Sequence, residues 1–244
     1  MGIFDFLKGS KGKDEKKSGP AAKWVDRAGD KRAQAYDRME AIAALADIGS
    51  SEAAEALLRR FTFTVDPQIT DQEEKDIAFR GVLKAGTEAI EAIRAFAKKA
   101  ESLAWPMRLM KELLSQDEYE VELLSWLERW DTEYAKFIDP KFQLLATLEE
   151  HHGPAVVAAV TRFLDDVNET ARFHTVGTML AQRDEGCYES LLKHLPSEES
   201  VRIRDRIAEG LAAAGWTIPD ALRNEIERVL PSTFRVSASG TIVR

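Results

Sequence analysis

The stretch at residues 44–61, "ALADIGSSEAAEALLRRF", decides the fold. An apolar helix closes at Asp47-Ile48-Gly49 and a second begins almost at once. Ala53, Ala54, Leu57, Leu58 and Phe61 share one face of that second helix. The shape recurs in "VLKAGTEAIEAI", "ELLSQDEYEVELL", "TLEEHHGPAVVAAV", "MLAQRDEGCYESLL" and "GLAAAGWTIPDAL". The last leucine before each turn is Leu45, Leu83, Leu114, Leu148, Leu180 and Leu211, in steps of 38, 31, 34, 32 and 31 residues. A fixed spacing near 33 marks a stacked array, because no such helix couple can bury its apolar face alone.

Local signals agree with this reading. Thr70 with Glu73, and Ser115 with Glu118, have the capping-box spacing of a helix start. Gly49, Gly86, Gly153, Gly186 and Gly215 stand where a helix stops or a tight turn forms. Leu123, Leu127, Trp130 and Tyr134 form a further apolar stripe. "FTFTV" (61–65) alternates like a strand but belongs to a longer loop, which accounts for the 38-residue step. "FRVSASGTIVR" (234–244) is expected as a small hairpin covering the last helices, since terminal repeats need a cap. The predicted fold is all-α, with about twelve helices in six pairs. Residues 1–22 form an N-terminal tail, 23–230 the array and 231–244 a terminal extension.

"DRMEAIAALADIGSSEAAEALLRRF" (37–61) and "ETARFHTVGTMLAQRDEGCYESLLKHL" (169–195) resemble short bacterial HEAT repeats of the phycobilin-lyase type. The resemblance covers roughly residues 35–230 and weakens in the third couple, which lacks the turn glycine. It implies a curved, right-handed α-solenoid whose second helices line the concave side. Such arrays mostly bind proteins, and a few are enzymes.

Three enzymatic readings of the resemblance can be tested on residues. Deoxyhypusine hydroxylases hold metal with repeated His-Glu pairs. This sequence has no His-Glu dipeptide, and His151, His152, His174 and His194 show no ligand spacing, so no metal or other cofactor is expected. HEAT-like DNA alkylation-repair glycosylases hold a cationic base with Trp and Asp, for which Trp126, Trp130 and Asp131 are the candidates. Helical projection instead puts both tryptophans on the packed face with Leu123 and Leu127. A deep pocket with Trp130 open beside a carboxylate would reverse that judgement. Bilin lyases offer Cys187 as nucleophile, but Glu185 and Glu189 flank it and disfavour the thiolate. The expected function is therefore non-catalytic protein–protein binding. The partner candidates are Arg59 and Arg60 on the first couple, and Glu122, Arg129 and Glu133 on the third, which project away from the packed stripe.

Charge is uneven. The first 33 residues carry nine Lys/Arg and five Asp/Glu, a net +4, so the rest carries −12 of the total −8. An acidic body repels phosphate backbones, and no nucleic-acid ligand is expected. It suits a basic peptide or simply favours solubility. Cys187 is the single cysteine, and the sequence holds neither a signal-peptide core nor a long apolar span, so a cytoplasmic protein is expected. The opening "MGIFDFLKGSKGKDEKKSGP" puts an apolar tip, Ile3, Phe4, Phe6 and Leu7, ahead of five lysines. Phe6 replaces the Ser or Thr that myristoylation needs. Three roles for the tip stay open. It suits weak contact with an anionic membrane, docking into a partner's groove, or folding back over the first couple.

Overall fold

A computed structural model describes residues 19–244. They fall into two compact units, one ending at Ala92 and one beginning at Ile93. Apart from one two-stranded sheet, the regular structure among the described residues is helical. None of these helices is long and apolar enough to cross a membrane.

The first unit holds a single-turn helix α1 (Val25–Ala28), then α2 (Ala35–Ile48), α3 (Ser51–Leu58) and α4 (Gln68–Lys84). Helix α2 stops where Gly49 takes the left-handed backbone (φ 64°), which a side chain would strain. Ser50 then starts α3, its Oγ accepting the Ala53 N–H at 3.2 Å. Helices α2 and α4 pack side by side with α3 against both, burying Ile42, Leu45, Leu57, Leu58 and Val82. Between α3 and α4 the chain makes a 3-10 turn (Arg59–Thr62) and an irregular loop, as expected for "FTFTV". The Thr70–Glu73 capping box does not form. Pro67 precedes α4 and its carbonyl accepts the N–H groups of Thr70 and Asp71, so Thr70 lies inside the helix and has no cap to supply.

The boundary between units falls within α5 (Ile90–Ala97). The second unit continues with α6 (Ala104–Leu113), α7 (Gln116–Leu127), α8 (Asp139–Leu148), α9 (Pro154–Val160), α10 (Glu169–Ala181), α11 (Glu185–His194), α12 (Val201–Ala214) and α13 (Asp220–Val229). Helix α10 packs against α8 on one side and α12 on the other. The Ser115–Glu118 capping box is present, with each residue's side chain accepting the other's backbone N–H. Gly186 lies in the first turn of α11 and makes no bend. Asp184 caps that helix, and Arg183 supplies the positive φ (53°). Helix α7 ends at Leu127, so the stripe expected to run on to Tyr134 is cut short. Leu123 and Leu127 are in the core, Trp130 is half-buried beyond the helix, and Tyr134 is 79% exposed.

The hairpin forms at the terminus. β1 (Arg235–Val236) pairs antiparallel with β2 (Ile242–Val243) and packs on α12 and α13, burying Phe234 and Ile242.

Candidate functional site

Helical proteins usually leave charged side chains on solvated faces, which makes the buried charges here informative. Two of the five partner candidates are among them. Arg60 is fully buried, with Nε 2.6 Å from Glu74 Oε2 and Nη2 2.6 Å from Asp71 Oδ1. Arg38 Nε reaches the same Glu74 oxygen at 2.8 Å, and Lys75 closes on Asp71 Oδ2 at 2.7 Å. Glu74 Oε1 has no partner among the described residues. Burial works against the Asp71 carboxylate, but hydrogen bonds from Lys75 and Arg60 outweigh it and hold the group below its ordinary range. Glu122 is also buried, 2.6 Å from Arg94 Nη2. Arg60 and Glu122 therefore lie inside the fold and present no surface to a partner, since each is covered by the ion pair it forms. Arg59 and Glu133 are exposed. Ile3, Phe4, Phe6 and Leu7 lie outside the described residues.

Arg129, the fifth candidate, lines a cleft of about 340 Å³ in the second unit. Ala97 at the end of α5, Leu103, Trp126 on α7 and Pro140 on α8 form its buried apolar floor. Trp130 and Phe137 stand as half-open walls, Phe137 being 53% exposed. Lys98, Lys99 and Arg129 form the rim with one acid, Glu101. Arg129 Nη2 donates to the Lys98 carbonyl at 3.1 Å, which fixes the guanidinium at the C-terminal end of α5.

The walls belong to an irregular segment, residues 128–138, held by a buried lysine. Lys141 Nζ donates to the carbonyls of Asp131 (3.1 Å) and Glu133 (3.5 Å) and lies 2.6 Å from Asp166 Oδ2, with both charged side chains fully buried. The Val167 N–H ties the same segment through the Thr132 carbonyl at 3.0 Å. These bonds hold the backbone at residues 131–133, directly after Trp130. Projection placed Trp130 in the core because it assumed that α7 continued. The signal against it was "WDTEYAKFIDP" (130–140), whose Asp, Thr and Pro are poor helix-interior residues.

A larger groove of about 530 Å³ lies along α7 and α9, lined by Val121, Leu124, Ala155, Ala158 and Ala159. Its charges, Glu128 and Arg162, balance. His151, His174 and His194 each lie within 3.3 Å of a carboxylate, from Glu120, Glu149 and Glu198 respectively. Among the described residues no group of three or more His, Cys, Asp or Glu side chains could hold a metal. Cys187 is buried. Burial first, and then the Asp184 carboxylate, push its thiol pKa upward, away from nucleophilic use. No protein-family model matches the chain, and no curated protein or solved structure is significantly similar to it.

Proposed function

We propose that this protein is a non-catalytic scaffold of HEAT-like helix couples that binds a segment of a partner protein in the cleft between Trp126, Trp130 and Phe137. The carrying observation is the half-open aromatic wall on a loop whose backbone Lys141 holds, beside cations without ion-pair partners among the described residues. Aromatic and arginine side chains around an apolar floor have the composition of interface anchors. The solenoid reading draws support from α2 beside α4 and from α8, α10 and α12 in sequence, with apolar faces buried between neighbours.

Trp130 and Glu101 in one lining also favour, by that single observation, a glycosylase that stacks a cationic base. Lys98, Lys99 and Arg129 oppose it, because three cations at the rim repel a positively charged base.

Affinity capture with the full chain and with Trp130→Ala tests the scaffold. A stoichiometric partner retained by the native chain and lost by the variant is expected. A partner retained equally by both, or base release from alkylated DNA that Trp130→Ala abolishes, overturns it.

A further inference from the structure

We infer that the segment received by this cleft is acidic and carries one large apolar side chain. The inference rests on the scaffold reading and names its partner's chemistry. The chain as a whole is anionic, at −8, yet three cations and one carboxylate line the cleft. Lys136 adds a fourth cation beside it, its Nζ 5.1 Å from the Phe137 ring centroid. The acids of the same loop, Glu128, Asp131 and Glu133, are not part of the lining.

These cations differ from those built into the core of the second unit. Arg172, Lys141 and Arg206 each lie within 2.9 Å of a carboxylate. Among the described residues, Lys98, Lys99, Arg129 and Lys136 form no ion pair. Their charge is available to a ligand. The C-terminus of α5 would by itself repel an anion, because helix carbonyls concentrate partial negative charge there. Arg129 sits on one of those carbonyls and replaces the partial negative charge with a full positive one.

The volume limits the apolar part. About 340 Å³ is at the small end of ligand pockets, which run from roughly 300 to 1,000 Å³. That is room for one anchor side chain and not for a helix face. A Phe or Leu seated on Ala97, Leu103, Trp126 and Pro140 meets Trp130 and Phe137 at the sides, and flanking Asp or Glu residues reach the rim. The exposed rim contacts are screened by salt, whereas the buried anchor is not. Binding should therefore weaken as salt rises without vanishing.

The test uses fluorescence anisotropy of the full chain with labelled peptides of equal length: Asp/Glu flanks with a central Phe, the same flanks with Ser, and Lys flanks with Phe. The first should bind tightest. It should lose about tenfold or more in affinity with Trp130→Ala, and about as much with Lys98→Glu plus Lys99→Glu. Those two lysines are exposed, so circular dichroism should be unchanged and the loss assignable to charge. Equal or tighter binding of the Lys-flanked peptide overturns the inference, as does indifference to charge reversal. Benzoate competing as strongly as the peptide overturns its peptide part. Selection from a displayed peptide library, counter-selected on Trp130→Ala, separates the two readings. Trp130-dependent binders that are neutral or basic sink the acidic segment and leave the scaffold standing. A library with no Trp130-dependent binder sinks both.

Discussion

Replacing Asp166 by Asn removes one negative charge and almost no volume. Lys141 is then left fully buried with only backbone carbonyls as partners. The charges face each other at 2.6 Å; at an effective dielectric near 20 their attraction is roughly 6 kcal/mol before any relaxation. The loss has a ceiling, because Lys141 can enter the variant's fold as a neutral amine. From an ordinary lysine pKa of about 10.4, shedding that proton at pH 7 costs between about 4 and 5 kcal/mol. The expected destabilisation is about 3–5 kcal/mol, the range seen when one partner of a buried pair is removed. The amide can still accept the Asn168 N–H that Asp166 Oδ1 accepts at 2.8 Å, so the helix entry is retained and the charge effect is isolated. The pH dependence has a definite sign. An unpaired buried lysine has a lowered folded pKa, so its penalty shrinks as pH rises. At pH 9 the ceiling falls to about 2 kcal/mol. Urea unfolding of native and Asp166→Asn chains at pH 7 and pH 9, followed by circular dichroism, measures both differences. A loss below about 1 kcal/mol at pH 7, or a loss that grows at pH 9, would refute the argument.

Three further outcomes follow from the packing and the titrating groups. Gly81→Ala should destabilise by about 1–3 kcal/mol despite the alanine's better helix propensity, because its Cβ would sit 2.7 Å from the Ala46 backbone; Gly177→Ala should cost less, since the atoms met are side-chain tips that can shift, but it should weaken the Arg206–Glu149 ion pair they form, and thermal melts compare the two. Burial works against the Glu198 and Glu149 carboxylates, but Arg172 with the Ser200 N–H, and His174 with Arg206, outweigh it and hold both below the ordinary 4.5. Their stabilisation is complete above that value and is lost as pH falls through the lower folded values, so the melting temperature should drop below about pH 4.5 and drop less in Glu198→Gln. Cys187 should react with iodoacetamide at least about a hundredfold more slowly in the native chain than in urea, as read by mass spectrometry; equal rates would contradict its burial and raised pKa.

Helix placement was largely legible because it depends on short-range patterns. The leucine spacing placed the helix couples, and the Ser115–Glu118 box formed where its spacing put it. The failures have physical causes. Pro67 supplied the backbone acceptor that made Thr70 unnecessary as a cap. Asp184 took the start of α11, leaving Gly186 no turn to make. Projection past Leu127 assumed a helix that "RWDTEYA" (129–135) does not continue, which hid the cleft. A hydropathy pattern treats every charge as outward, which places Arg60 and Glu122 at the surface. Nothing local distinguishes a charge with a partner 14 or 28 residues away from one without.

The buried pairs do have a pattern, at a range that helical periodicity ignores. Lys141 and Asp166 are 25 residues apart, and Arg172 and Glu198 are 26 apart. In each pair the base lies in the first two turns of one helix, α8 or α10, and the acid stands two residues before the cap of the next helix but one, α10 or α12. Each acid also accepts the N–H of that capping residue, Asn168 at 2.8 Å and Ser200 at 2.7 Å. One carboxylate thus neutralises a base on one helix and shapes the entry to the next helix but one, which an apolar pair of equal volume could not do. Such a carboxylate is committed to the fold, as is the base it holds. Cations are free to act on a ligand only where this device is missing, and in the second unit Lys98, Lys99 and Arg129 have no such acid. Supplying one at the half-buried Ala100 of the same lining, by Ala100→Asp, should therefore reduce affinity for an anionic segment while leaving the anchor's floor and its walls, Trp130 and Phe137, in place. If an acidic peptide binds that variant as tightly as the native chain, the link between unpaired charge and recognition fails.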